Sequence, residues 1–385
     1  MTQSLRVLMT TTPIGGVWPY SLELSGALAR QGVRVILASM GMALRASQRR
    51  AICQIPNVEL AESAYKLEWM DDPWPAVDTA SNWLRRLVIR YAPNLVHSNG
   101  LALAAENLGV PVLCVAHSGL IAWTRAVHGR EPGPELNRYR ARAADGLRAA
   151  DEIVGPTRAS LSTILTDHGV QRAGCVIPHG SSAAAYTPGV KEPFIFATGR
   201  LWDEAMALDV LDVSARSVRW PIRVAGPRML LDRPARRAPA NLQLLGELEP
   251  EQIADLMSRA AIYVLPMRYE PFGQSALEAA LAGCALVLAD LDTLREIWGS
   301  NAVYVPPNDP TALGRQLAAL IEDPEGRANL AGRARARALE LTPERMAAAY
   351  LALYRDLLSR PLTRWPTPDP ETAIAASAPL FKRLA

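Results

Sequence analysis

Apolar runs and helical spacing alternate along this chain. LRVLMTT (5–11) and VRVILASM (33–40) are short, apolar, β-rich runs that read as strands. Between them, VWPYSLELSGALARQG (17–32) carries apolar residues at helical spacing and predicts a helix that stops at Gly32. A strand, a glycine turn, a helix and a second strand make a βαβ unit, and such units build parallel sheets. The alternation resumes with NLVHSNG (94–100), a helix over 101–109, then PVLCVAHS (111–118) and DEIVGP (151–156). The interval 41–92, with Trp69, Trp74, Trp83 and the turn-rich DDPWPAVD, is less regular.

PHGSSAAAYTPGVKEP (178–193) has the Pro, Gly and Ser content of a linker. A second series follows it: FIFATGR (194–200), a helix over 204–217, PIRVAG (221–226), NLQLLG (241–246), a helix over 249–260, AIYVLP (261–266), a further helix, CALVLAD (284–290) and AVYVPP (302–307). Helices are then expected at 311–321, 325–340 and 343–359. The pattern predicts an α/β protein with two doubly wound domains, 1–185 and 186–360. The proline-rich tail 361–385 is a candidate to pack back on the first domain. Sheets of this kind bind ligands at the carboxyl ends of their strands.

Composition agrees with this division. A chain of 385 residues exceeds one ordinary core, and 49% hydrophobic with 21% charged residues is a globular balance. A net charge of +3 is too small to make a nucleic-acid binder, so no nucleic-acid partner is expected. Cys53, Cys114, Cys175 and Cys284 lie far apart with no CxxC, which suggests buried thiols in a reducing cytosol rather than disulfides or zinc. MTQSLRVLMTTTP lacks the apolar run and cleavage site of a signal peptide, and no stretch of 18 apolar residues would span a membrane. A cytoplasmic protein is expected.

The richest chemistry lies in RYEPFGQSALEAALAG (268–283). Ser275-x-x-Glu278 fits a capping box, which would leave Glu270 an ordinary loop acid. The same residues fit a ligand site. A helix N-terminus suits a diphosphate, and a carboxylate in the first helical turn can hold ribose hydroxyls. A second carboxylate before the turn could hold hydroxyls of a sugar beyond the phosphates.

This stretch resembles the signature of glycosyltransferase family 4, retaining enzymes of the GT-B fold. Other pieces fall in family order: PIGGV, NLVHSNG, VPVLCVAHS, VIPHG, ATGRLWDEA and LGEL. The resemblance covers roughly residues 5 to 358 and rests on the combination in order. It implies two Rossmann-like domains facing each other across a cleft, the first for the acceptor and the second for the nucleotide-sugar donor.

By that resemblance, Glu278 holds the nucleotide ribose, and Glu270 contacts the transferred sugar or stabilises charge near it. Amides from Phe272 and Gly273 to Gln274 and Ser275 would face the diphosphate, and Arg200 matches the family's phosphate-binding arginine. Gly15 and Gly16 match the loop that closes over the donor, and the base would sit against Gly246 to Leu248. His117 matches a position beside the reacting sugar. Glu270, His117 and Arg200 are therefore the candidate catalytic residues. His97 is expected to support the sheet end, and His179, in place of the family's usual asparagine, to act locally at the hinge.

The resemblance further implies front-face retaining transfer, in which the leaving phosphate deprotonates the acceptor and no cofactor or metal takes part. Asp290-Leu291-Asp292 looks like a DxD metal motif but reads as a strand end. Met206 stands where the family usually carries a lysine on the diphosphate; Arg228 or Arg268 could replace that charge. A UDP-, GDP- or ADP-sugar donor and a carbohydrate or lipid-linked acceptor follow, with peripheral contact at the inner membrane face as one option. The other readings are a degenerate relative that binds without turnover and another GT-B enzyme, such as an epimerase or phosphorylase. The basic segment 118–150 is either an acceptor surface or a solvated helix face, and Trp18 and Trp123 either stack on sugars or pack.

Overall fold

The computed structural model describes residues 4–229 and 239–360. The expectation for the tail, 361–385, lies outside them. Two parallel sheets organise the chain. The first contains β1 (Arg6–Thr11), β2 (Arg34–Ser39), β3 (Val58–Glu62), β4 (Leu95–Ser98), β5 (Val112–Val115), β6 (Glu152–Gly155) and β7 (Cys175–Val176). Their order is β3-β2-β1-β4-β5-β6-β7. The second contains β8 (Glu192–Thr198), β9 (Ile222–Ala225), β10 (Gln243–Gly246), β11 (Ala260–Leu265), β12 (Ala285–Ala289) and β13 (Val303–Val305), in the order β10-β9-β8-β11-β12-β13. Both orders reverse beside the first strand of the set, the doubly wound pattern.

The strands form where apolar runs can be covered on both faces. Val7, Leu8 and Met9 of β1 are fully buried, and so is nearly all of β12. Burying each Leu, Ile or Val contributes about 1.5–3 kcal/mol relative to exposure. The chain separates into two compact units. One holds the described residues up to Val115, Arg138–Ile153 and those from Tyr350; the other holds Ala116–Asn137 and Val154–Ala349.

Several elements depart from the sequence pattern. The interval 41–92 holds helices Ala46–Cys53 and Trp74–Tyr91 as well as β3. The prolines of DDPWPAVD read as a turn, but Pro75 lies in the first helical turn, where a missing N–H costs nothing. The helix expected over 101–109 is only a 3₁₀ turn, Ala102–Ala105, capped by Glu68, whose carboxylate accepts the Leu101 and Ala102 amides at 3.1 and 2.7 Å. The helix expected from 204 begins at Leu208, because the Ala207 amide donates to Pro266 instead. The helices Pro250–Arg259, Pro310–Glu322, Pro324–Ala338 and Pro343–Ser359 fall where the spacing places them.

In the first unit His97 is fully buried among Tyr20, Tyr350 and Tyr354. Its Nδ1 lies 2.7 Å from the Tyr354 hydroxyl and its Nε2 3.1 Å from that of Tyr20, which donates to Tyr350 at 2.7 Å. Burial pushes this imidazole down to about 3. It supports the sheet end, as its sequence context suggests. No disulfide joins the cysteines, though Cys53 is exposed rather than buried. Among the described residues no helix is long and apolar enough to cross a membrane.

Candidate functional site

In the second sheet the order reverses between β8 and β11, and the segments leaving these two strands carry Arg200 and Glu270. That reversal point, at the carboxyl ends, is where open α/β sheets accept ligands. Two glycines allow the backbone to close there. A Cβ on Gly226 would lie 1.8 Å from the Gly199 carbonyl oxygen, so only glycine lets the end of β9 approach β8. Gly273 has φ +86°, and its Cβ would meet Leu294 at 2.9 Å.

Gly273 is the N-cap of the helix Gln274–Leu281, with no side chain capping it. Ser275 is therefore inside the helix, and the capping box does not form. Instead Glu270 holds the turn: its Oε1 accepts the amides of Phe272 at 3.1 Å and Gly273 at 2.8 Å. Two of the four amides expected to face a diphosphate thus donate to Glu270. Burial raises the Glu270 carboxyl, opposed by those amides and by the nearby Arg200 guanidinium.

Glu278 is half-buried one turn further on and accepts from the Gln274 side-chain amide at 3.3 Å. The Tyr263 hydroxyl donates to the Thr198 carbonyl at 3.4 Å, with Ser275 and the Glu278 charge close by. The start of the helix therefore lies beside the end of β8.

The segment after β5 joins this cluster. The amide of Gly119 donates to the Tyr269 hydroxyl at 2.9 Å, and the Thr157 hydroxyl to the Pro271 carbonyl at 3.1 Å. His117 is buried, its ring centroid 5.3 Å from that of His179. The ring of His179 lies 4.5 Å from that of Phe272. Burial pushes His179 down to about 3, with the neighbouring Gln274 side chain opposing the shift. The site thus gathers His117, Arg200, Glu270, Phe272, Gly273, Gln274, Ser275 and Glu278 within one unit.

Two family models match consecutive parts of the chain. The one described as Glycosyltransferase Family 4 matches residues 14–183, and the one described as Glycosyl transferases group 1 matches 188–337. The chain belongs to glycosyltransferase family 4. It is 26% identical over 398 residues to a D-inositol 3-phosphate glycosyltransferase of Xylanimonas cellulosilytica, covering 91% of this chain and 94% of that one. A glycogen synthase of Mycobacterium tuberculosis is 37% identical over 97 residues; that match spans only 25% of this chain and 23% of the synthase. Among solved structures, sucrose-phosphate synthase from Thermosynechococcus elongatus superposes with a TM-score of 0.75 at 17% identity, covering 92% of this chain and 99% of that one. Anabaena Alr3699/HepE in complex with UDP and glucose gives 0.67 at 16% identity, covering 90% and 99%. The fold is GT-B, and this glycosyltransferase is an enzyme of that architecture.

Of the remaining expected residues, Gly246 adjoins this region, its carbonyl accepting the Gly226 amide at 2.7 Å. Gly246 and Leu248 are half-buried at the carboxyl end of β10, at the sheet edge. Gly15 and Gly16 precede the helix Val17–Arg30 in the other unit. Met206 is 1% exposed, and its sulfur lies 3.0 Å from where a Gly199 Cβ would stand. Its side chain belongs to the core of the glycosyltransferase's second unit. Arg268 does not replace the missing charge: its guanidinium donates to Asn308, Asp209 and the Glu204 carbonyl. Arg228 is exposed beside residues 230–238, which lie outside the description. Asp290 pairs with Arg295 at 2.8 Å, so half of the DxD run has a structural partner.

Sequence reasoning missed His179, Tyr269 and Asp203 as members of the site. Their signal was adjacency to PHG, EPFG and GRL, which spacing alone does not convert into contact. The basic segment is also largely paired. Arg125 bonds Asp167 at 2.7 Å, Arg142 bonds Asp78 at 2.8 Å, and Arg138 and Arg142 each stack over the Trp74 ring. These contacts favour a solvated helix face over an acceptor surface.

Proposed function

We propose that this enzyme transfers a hexosyl group, with retention, from a nucleoside-diphosphate sugar to a carbohydrate or lipid-linked acceptor without a metal. The observation that carries this reading is that Arg200 and Glu270 follow the two strands flanking the order reversal, with the guanidinium favouring the charged form of the carboxyl. Arg200, with its side chain 41% exposed, offers N–H donors to a departing diphosphate, and Glu278 offers a carboxylate to ribose hydroxyls. Glu270 and His117 would meet the transferred sugar. The departing phosphate takes the acceptor proton, so no separate protein base is needed. UDP is the first candidate nucleotide because a protein of similar fold is described with UDP and glucose bound.

A lipid-linked acceptor would bring the enzyme to a membrane surface as a peripheral protein. UDP-, GDP- and ADP-sugars should be screened for thermal stabilisation, with proton NMR of the product anomer. One of the three should raise the melting temperature and yield a product with the donor's anomeric configuration. No stabilisation by any donor would sink the nucleotide-sugar reading, and an inverted product would sink retention. Stabilisation without turnover or donor hydrolysis would indicate a binding protein.

A further inference from the structure

The loop after β8 folds around one carboxylate. Asp203 is 6% exposed, and its Oδ1 accepts both the indole Nε1–H of Trp123 and the amide of Ala205 at 2.9 Å. Its Oδ2 forms an ion pair with Arg200, 2.8 Å from Nη2. A buried carboxylate requires such donors. The identity of the donors is the informative part. Arg200 is the arginine placed at the phosphate, and Trp123 lies on the helix Leu120–His128, just after the segment that carries His117.

Asp203 acts on an incoming diphosphate in two opposed ways. It anchors one nitrogen of Arg200 and leaves the other N–H donors able to meet an anion, which saves rotamer entropy on binding. It also sets a negative charge beside the same arginine, close enough to bear on Glu270. In a partly enclosed site, repulsion between a carboxylate and a diphosphate outweighs the entropy saved by anchoring one side chain.

We propose that Asp203 is a positioning residue: its one carboxylate holds both Arg200 and Trp123, and it limits how tightly the site grips a diphosphate. The inference rests on the donor reading above. Neither the phosphate arginine nor the tryptophan helix is independent of the other, because a phosphate that takes up part of the Arg200 charge leaves the Oδ1 bond to Trp123 stronger. The carboxylate therefore reports occupancy of the phosphate position to the helix beside His117.

Asp203→Asn tests this in the full-length enzyme, since the amide oxygen can still accept from Trp123 and Ala205 while the charge toward Arg200 is gone. Calorimetric titration with UDP, GDP and ADP should show about three- to tenfold tighter binding of the preferred nucleotide, with turnover about tenfold lower. Tighter binding with slower turnover is a split that a merely structural acid would not produce. Unchanged or weaker binding in a variant that melts like wild type overturns the proposal.

A second measurement is independent of nucleotide. The Trp123 indole N–H cross-peak, assigned by its loss in Trp123→Phe, should shift in Arg200→Ala. An unmoved peak overturns the coupling even if Asp203→Asn does not fold. Wild-type enzyme that binds none of the three nucleotides would instead overturn the donor reading, and the indole peak would still judge this one.

Discussion

Oε1 of Glu270 accepts the Gly273 amide at 2.8 Å and closes the turn that begins the helix Gln274–Leu281. The acid assigned to the transferred sugar therefore also shapes its own loop, and two substitutions separate the roles. Glu270→Gln keeps an oxygen for the Phe272 and Gly273 amides and removes the charge. Its turnover should fall about tenfold to a hundredfold, with stability within about 0.5 kcal/mol of wild type. Glu270→Ala should lose about 1–3 kcal/mol more, because two enclosed amides lose their acceptor. Initial rates and melting of both variants check this; wild-type turnover in Glu270→Gln would confine the residue to the loop.

Glu278 does not cap its helix, since Gly273 occupies the N-cap. Glu278→Ala should weaken binding of free nucleoside diphosphate by a charge-assisted hydrogen bond, about 1.5–3 kcal/mol or roughly ten- to a hundredfold. Melting should change little, because the side chain is half-buried and one turn beyond the cap. Titration with free nucleotide decides; equal affinities in variant and wild type would remove the ribose role.

β3 and the two-residue β7 lack such a signal, but most strands of both sheets were legible because segments such as FIFAT and CALVLAD are unbroken apolar runs whose period needs no tertiary context. The helix Trp74–Tyr91 was not, although Val77, Ala80, Ser81, Leu84 and Leu87 bury one face at helical spacing. Its prolines carried the stronger local signal. At the site, the motif order singles out Glu270, Glu278, Arg200 and His117 as candidates, but motif spacing cannot rank competing hydrogen bonds. That Glu270 takes the turn amides, and that Asp203 takes Trp123, depends on loops meeting after the sheet has formed.

Met206→Lys is the substitution the family pattern invites, and the structure turns its expected effect around. The thioether is 1% exposed among core side chains beside Gly199. A lysine there would bury an ammonium among core side chains, or deprotonate, at a cost of about 3 kcal/mol or more. Nucleotide affinity should not improve. Calorimetry and thermal melting on this one variant check the outcome; tighter nucleotide binding at an unchanged melting temperature would mean that the side chain turns toward the phosphates.

Acid should destabilise the enzyme through two buried histidines. His97 and His179 are both pushed down to about 3 by burial, from an unfolded value near 6.5. Below about pH 6.5 the unfolded chain takes up a proton at each imidazole that the folded chain does not bind, so stability falls as pH falls. The loss continues toward pH 3, at about 1.4 kcal/mol per pH unit for each fully neutral histidine. Glu68 and Glu270 act oppositely, since their raised carboxyls bind protons earlier in the folded state, and they blunt the lower part of this range. The steepest loss is therefore expected about one unit below pH 6.5, where the unfolded imidazoles are nearly fully protonated. His179→Asn removes one titrating group while retaining a small polar side chain against Phe272, and should flatten the slope of stability between pH 6.5 and 5 by about half. Urea unfolding across that range measures it. A slope identical to wild type would mean that His179 takes up its proton in the folded enzyme, and that the His117–His179–Phe272 stack tolerates a charge.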